Sequence, residues 1–215
     1  MAQRDWVAWH RDYDDPDSLL ARRGALVQGH LRAELDRAPE GDIRLISLCA
    51  GQGRDVIGAL TGHPRRDDVH ARLVEWDERN VAHARQAARA AGLHGVEVLR
   101  ADAGTTDACV GAVPARIVVV CGIFGNITDD DIRATVAALP SLCAPGALAL
   151  WTRHRGRPDR TPAIRSWFGE AGFREEAFDT SPDGFMAVGA HRLTGRPTAF
   201  TPGRRLFTFG AEPRR

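Results

Sequence analysis

The chain has no lysine; all 29 of its basic residues are arginine. That excludes a phosphate loop ending in Gly-Lys-Ser/Thr. An all-arginine basic set follows from base composition as readily as from function, and carries no functional weight. An excess of either charge is also missing. The 28 acidic residues bring the formal net charge to +1, which leaves no global field to draw the protein onto nucleic acid or an anionic membrane. Cysteine is scarce. Cys49, Cys109, Cys121 and Cys143 form no CxxC pair, and no histidines stand at zinc spacing, so neither a disulfide framework nor a metal site is indicated and buried thiols are expected. No apolar run reaches the roughly 18 residues of a membrane span. The opening "MAQRDWVAWHRDYDDPD" mixes charges with tryptophans and lacks the apolar core of a signal peptide, so the expectation is a cytoplasmic protein. Repeats and low-complexity tracts are absent as well.

What is present is enough apolar material for one core: 43% of 215 residues are hydrophobic, and that length favours a single domain. Apolar strand-like runs alternate with helical ones, the pattern of a parallel sheet covered by helices. The runs predict strands over Arg44 to Cys49, Ala71 to Glu75, Val96 to Arg100, Ile117 to Cys121 and Ala147 to Thr152. Helices are predicted over Arg54 to Leu60, Glu78 to Ala91 and Asp129 to Leu139, the last capped by Thr128. "REEAFDT" and "FMAVGAHRL", joined by the turn sequence "SPDG", predict a late antiparallel hairpin. Ahead of the sheet, Asp17 to Leu35 brings back Leu19, Leu20, Leu26, Val27 and Leu31 at roughly helical spacing. The expected organisation is one domain: residues 1–42 a helical cover, 43–193 the sheet core, and 194–215 an extension that is a lid, an added strand or a loose tail.

The first predicted strand runs into "LCAGQGRDVI". Gly51 and Gly53 there begin a G-x-G-x-x-G pattern, but the third glycine position is Val56, which counts against a nicotinamide dinucleotide site. Later strand ends add chemistry. Glu75, in "RLVEWDERN", stands where a carboxylate accepts hydrogen bonds from ribose hydroxyls. Asp102 and the backbone of Ala103, in "VLRADA", suit an adenine amino group and ring nitrogen. Cys121 and Gly122, in "VVVCGIFGNI", are small enough for close approach of a ligand.

Taken in order, "LCAGQG", "VEWD", "ADA", "APGALALW" and the late hairpin resemble the class I S-adenosylmethionine-dependent methyltransferases over Arg44 to Leu193. The resemblance implies an α/β, Rossmann-like doubly wound, mostly parallel seven-stranded sheet with a C-terminal antiparallel hairpin and helices on both faces. It also implies binding of S-adenosylmethionine and methyl transfer, with Gly51, Gly53, Glu75, Asp102, Ala103 and Gly122 at the cofactor. If the family's strand order holds, Cys49 and Cys121 border the same site. The family's first motif usually carries an acidic residue inside strand one and an earlier glycine; here the matching positions are Ser47 and Cys49. Asp55 or Tyr13 is the candidate to replace the missing carboxylate, although Asp55 also suits the first turn of a helix. Trp76 either stacks on adenine or seals the core.

His154, just past the fifth strand, is the candidate base if the acceptor needs one. Arg153, Arg155 and Arg157 in the same loop suit an anionic acceptor or simply a solvated turn. Asn126 either hydrogen-bonds a substrate or caps the following turn, and the structural role is the one expected. "CGIFGN" lacks the Asn/Asp-Pro-Pro-aromatic motif of many methyltransferases acting on nucleic-acid bases. A small-molecule acceptor is therefore expected, under a cover in which Trp6, Trp9 and Tyr13 either line the pocket or anchor the first helix. Two rivals remain: an NAD-dependent oxidoreductase, and a protein that binds or cyclises S-adenosylmethionine without transferring its methyl group.

Overall fold

The computed structural model describes residues 10–208. Trp6 and Trp9 lie outside the described residues. Seven strands, β1 (Ile43–Leu48), β2 (Val69–Glu75), β3 (Val96–Arg100), β4 (Ala115–Val120), β5 (Cys143–His154), β6 (Phe173–Thr180) and β7 (Met186–Leu193), form one sheet in the order β3-β2-β1-β4-β5-β7-β6. β1 to β5 are parallel, and β7 runs antiparallel to both its neighbours. The expected fold class is therefore observed. β1 and β4 are hydrogen-bonded neighbours, so the strand order reverses between them. Ligands of open α/β sheets bind in the crevice at such a point, beyond the carboxyl ends of the strands.

Five helices cover the sheet: α1 (Leu19–Arg37), α2 (Arg54–Leu60), α3 (Glu78–Ala90), α4 (Asp129–Ala138) and α5 (Thr161–Glu170). Local chemistry sets their starts. Ser18, Asp77 and Thr128 each accept a hydrogen bond from a first-turn backbone N–H, at α1, α3 and α4 respectively. α1, α2 and α3 pack on one sheet face through residues such as Val27, Leu31, Leu60 and Val81. α4 and α5 pack on the other through Ile132, Val136, Ile164 and Phe168. α5 has no counterpart in the sequence reading. Its signal was Pro162 in the first turn followed by Ile164, Trp167 and Phe168 at helical spacing.

Trp151 fills the centre of the second face, fully buried and ringed by Phe124, Phe168, Phe178 and His191 at centroid distances of 6.0–6.1 Å. Its cross-strand partner is Gly189, and a Cβ there would stand 2.2 Å from the indole. Gly189→Ala forces the ring off its seat, and overpacking of this kind costs about 1–3 kcal/mol. The urea midpoint should fall accordingly; an unchanged midpoint would contradict the packing described.

Residues 204–207 form a strap pinned to the turn that follows β3. Thr106 N–H donates to Arg204 O at 3.0 Å, Leu206 N–H donates to Gly104 O at 2.8 Å, and Leu206 and Phe207 are buried in the core.

Candidate active site

The chain leaves β1 through Cys49, whose φ of +51° is left-handed, and through Gly51 and Gly53 at +56° and +71°. Such a φ is uncommon away from glycine, and strained residues of this kind cluster at ligand sites. Neither glycine has room for a side chain. A Cβ on Gly53 would stand 2.7 Å from Leu73 and 2.8 Å from Ile57, and one on Gly51 would stand 2.3 Å from His10 Nε2. Val56, in place of a third glycine, is buried between helix and sheet.

Glu75 closes β2 and reaches back to this loop. Gly51 N–H donates to its Oε2 and Asp77 N–H to its Oε1, each at 2.8 Å. An ionised carboxylate has about four acceptor positions, and with the Trp76 N–H also acting on the group acceptor capacity still remains for a ligand. Burial pushes the Glu75 carboxyl up from its ordinary value against these backbone bonds. Asp102, after β3, accepts from Gly104 N–H at 2.7 Å and from Arg205 of the strap at 2.6 Å. Ala103 is buried beside it. Glu75 and Asp102 converge on Cys49, whose thiol is pushed well up by burial and then by these two carboxylates. Trp76 is 66% exposed, so it does not seal the core; its face stays open beside Glu75.

A second polar group gathers where β4 ends. Cys121 is pushed well up by burial and by the Asp55 carboxylate, with Arg23 acting in the opposite sense. Gly122 follows with a left-handed φ; its N–H donates to Thr152 Oγ1 at 2.9 Å, and its carbonyl accepts from Asn126 at 2.8 Å. Asn126 thus holds the turn that precedes it rather than capping the one that follows. Asp55 lies in the first turn of α2, and its Oδ1 is shielded from solvent and has no hydrogen-bond partner among the described residues. Tyr13 accepts a hydrogen bond from Arg23 Nη2. The Arg23 and Arg54 guanidinium groups stand 5.6 and 5.4 Å from the centre of its ring. Burial and the Asp55 charge hold the phenol protonated far above neutrality. His10 stacks on Tyr13 at 5.9 Å, and its Nε2 accepts from Gln52 N–H at 3.4 Å. The 3-10 turn His10–Asp14 is therefore seated on the glycine loop.

The cofactor candidates thus fall into two neighbouring groups: Cys49, Glu75 and Asp102 at one end, and Tyr13, Asp55 and Cys121 at the other. Arg23 and His10 were missed in the sequence. The signal for Arg23 was a charge three residues after Leu20 and four before Val27, on the buried stripe of α1. An open groove of about 480 Å³ between α1, α2 and α3 shares Tyr13 and Gln52 but touches none of Glu75, Asp102 and Cys121.

His154 ends β5 and stacks on Phe185 at 5.7 Å. Gly156 N–H donates to its Nδ1 at 3.2 Å, so the neutral ring carries its proton on Nε2, the atom 4.0 Å from where a Cβ on Gly125 would stand. Burial and the Arg153 charge lower its basicity, which keeps it neutral at physiological pH. Among the neighbouring arginines, Arg155 pairs with Asp159 and Arg160 with Asp129. Arg153 has no carboxylate within ion-pair distance, and its Nε is buried without a partner among the described residues.

A protein family described as "Putative methyltransferase" matches residues 21–161 of the chain. No curated protein matches it. Among solved structures, an O-methyltransferase family protein from Burkholderia thailandensis superposes with a TM-score of 0.67 at 17% identity, over 87% of this chain and 59% of that one. Magnesium protoporphyrin IX methyltransferase from Synechocystis PCC 6803, solved with S-adenosylmethionine (SAM) bound, gives 0.64 at 14% identity, over 89% and 98% of the two chains. An RNA methyltransferase from Salinibacter ruber, in complex with S-adenosyl-L-homocysteine, gives 0.52 at 20% identity, over 79% and 90%. At these identities the likenesses show a shared fold.

Proposed function

Since the chain belongs to this methyltransferase family, which matches residues 21–161, we propose that it transfers a methyl group from S-adenosylmethionine to a small, anionic acceptor. The observation that carries this reading is the paired polar ends of the site: Glu75 and Asp102 beside Cys49, and Asp55 beside Cys121. They suit a ligand with a nucleoside at one end and a charged amino acid at the other. The buried, partnerless Oδ1 of Asp55 is the fit expected for an ammonium group, since a buried acceptor left unsatisfied is costly.

In this reading Glu75 accepts the ribose hydroxyls while keeping Gly51 and Asp77 in place. Asp102, held by Arg205, faces the adenine, and Trp76 supplies a stacking face. Bound there, the cofactor supplies a methyl group activated by its sulfonium, open to displacement by a nucleophile in line with it. The chain's task is alignment, for which effective molarities on the order of 10⁵ to 10⁸ M are available. His154, with its proton on Nε2, donates a hydrogen bond toward the acceptor and acts as a base only after losing its Gly156 bond. Arg153 meets an anionic group of the acceptor. The near-zero formal net charge of +1 supports a small acceptor over a nucleic acid.

The nicotinamide alternative is disfavoured by the strand order, since the antiparallel β7 stands where a dinucleotide fold has a parallel sixth strand. Glu75→Ala removes charge-assisted hydrogen bonds worth about 1.5–3 kcal/mol, so affinity for S-adenosylhomocysteine should fall about ten- to hundredfold. An unchanged Kd in a folded variant would remove Glu75 from the site. Product analysis after incubation with SAM and candidate acceptors separates the chemistries: S-adenosylhomocysteine marks transfer, and methylthioadenosine marks cyclisation.

A further inference from the structure

We propose that Arg23 and Asp55 form a two-charge clamp for the amino-acid end of the cofactor, Asp55 receiving the α-ammonium and Arg23 the α-carboxylate. The inference rests on reading the site as one for SAM. Asp55 Oδ1 is a shielded carboxylate oxygen that accepts nothing among the described residues. Arg23 lies on α1, a buried guanidinium steered by its bond to the Tyr13 hydroxyl. The helix comes this close because residue 24 is glycine: a Cβ there would stand 2.9 Å from Tyr13 and 3.6 Å from Asp55 Oδ1.

Both groups also act on Cys121 at the end of β4, away from the Glu75 and Asp102 pair that acts on Cys49. Burial pushes the Asp55 carboxyl up while the Arg23 charge pulls it down, and two opposite charges that act on one another out of water disfavour a lone ion of either sign, because each ion meets one attractive and one repulsive group. An α-amino acid carries the complementary pair, and the planar guanidinium fork matches a carboxylate.

The test is a calorimetric titration with two ligands, S-adenosylhomocysteine, which has the amino-acid end, and 5′-methylthioadenosine, which lacks it. The wild type should bind the first at least about tenfold more tightly. Asp55→Asn and Arg23→Gln should each weaken the first about ten- to hundredfold and leave the second within about twofold, while Arg23→Lys, which keeps the charge, should recover part of the loss. Equal wild-type affinity for the two ligands overturns the clamp without any variant, as do variants in which both ligands weaken together or neither weakens. Wild type that binds methylthioadenosine but gains nothing from the amino-acid end leaves the nucleoside site standing and removes the clamp alone; wild type that binds neither ligand removes both.

Discussion

Glu34→Gln should cost the fold about 3 kcal/mol, read as a fall in the urea midpoint at unchanged slope. Glu34 is completely buried on α1, where its two oxygens take Arg192 of β7 at 2.6 and 3.2 Å and Arg116 of β4 at 2.9 Å. The carboxylate therefore ties the first helix across the sheet to two strands. Removing one partner of a buried ion pair leaves uncompensated charge and costs about 3–5 kcal/mol. The lower end applies here. The side chains of Arg116 and Arg192 are 25% and 17% exposed, and Arg192 keeps Glu176 at 2.6 Å. The triad sits at the end of the sheet opposite the glycine loop, so cofactor affinity of the folded variant should be unchanged. A midpoint within experimental error of wild type would show that the triad contributes nothing.

The second large effect is a loss of stability in acid. His191 is buried against Phe168, their rings 4.4 Å apart, and neither ring nitrogen has a hydrogen-bond partner among the described residues. Burial lowers its pKa from 6.5 to about 4, with Glu175 opposing the shift and Arg165 adding to it. The folded state thus resists a proton that the unfolded chain accepts. Stability contributed by the neutral ring is complete above about pH 6.5, declines as the pH falls, and is gone below about 4, a total on the order of 3 kcal/mol. Glu175, held below its ordinary range chiefly by Arg165, adds a loss of the same sign further into acid. His191→Phe keeps the ring and removes the proton site. The difference in unfolding free energy between wild type and variant should fall by about 3 kcal/mol from pH 7 to pH 4; a difference constant with pH would contradict the assignment.

Much of the fold was legible because β1, β4 and the middle of β5 are rich in apolar residues and because Thr128 and the "SPDG" turn mark boundaries chemically. β5 begins four residues earlier than the apolar run suggests, since Cys143 pairs with Ala115 across a register shift, which no local pattern records. The glycine loop and Glu75 were legible from spacing. Arg23 and Glu34 were not, because a charge on an amphipathic stripe reads as a gap in the core until its partners are known. The Arg205–Asp102 pair joins residues 103 positions apart, and nothing in either neighbourhood announces the other. His154 was singled out by position alone; the Gly156 bond that sets its tautomer depends on the folded loop. Trp76 shows the limit of residue type, since a large apolar side chain suits a stacking face and a core equally, and only the fold leaves it exposed.

Calorimetric titration of the protein with S-adenosylhomocysteine, with NADH in parallel, tests the central claim most directly. Micromolar binding of S-adenosylhomocysteine and none of NADH is the predicted result. Binding of NADH, or of neither ligand, would contradict the assignment of this site to S-adenosylmethionine.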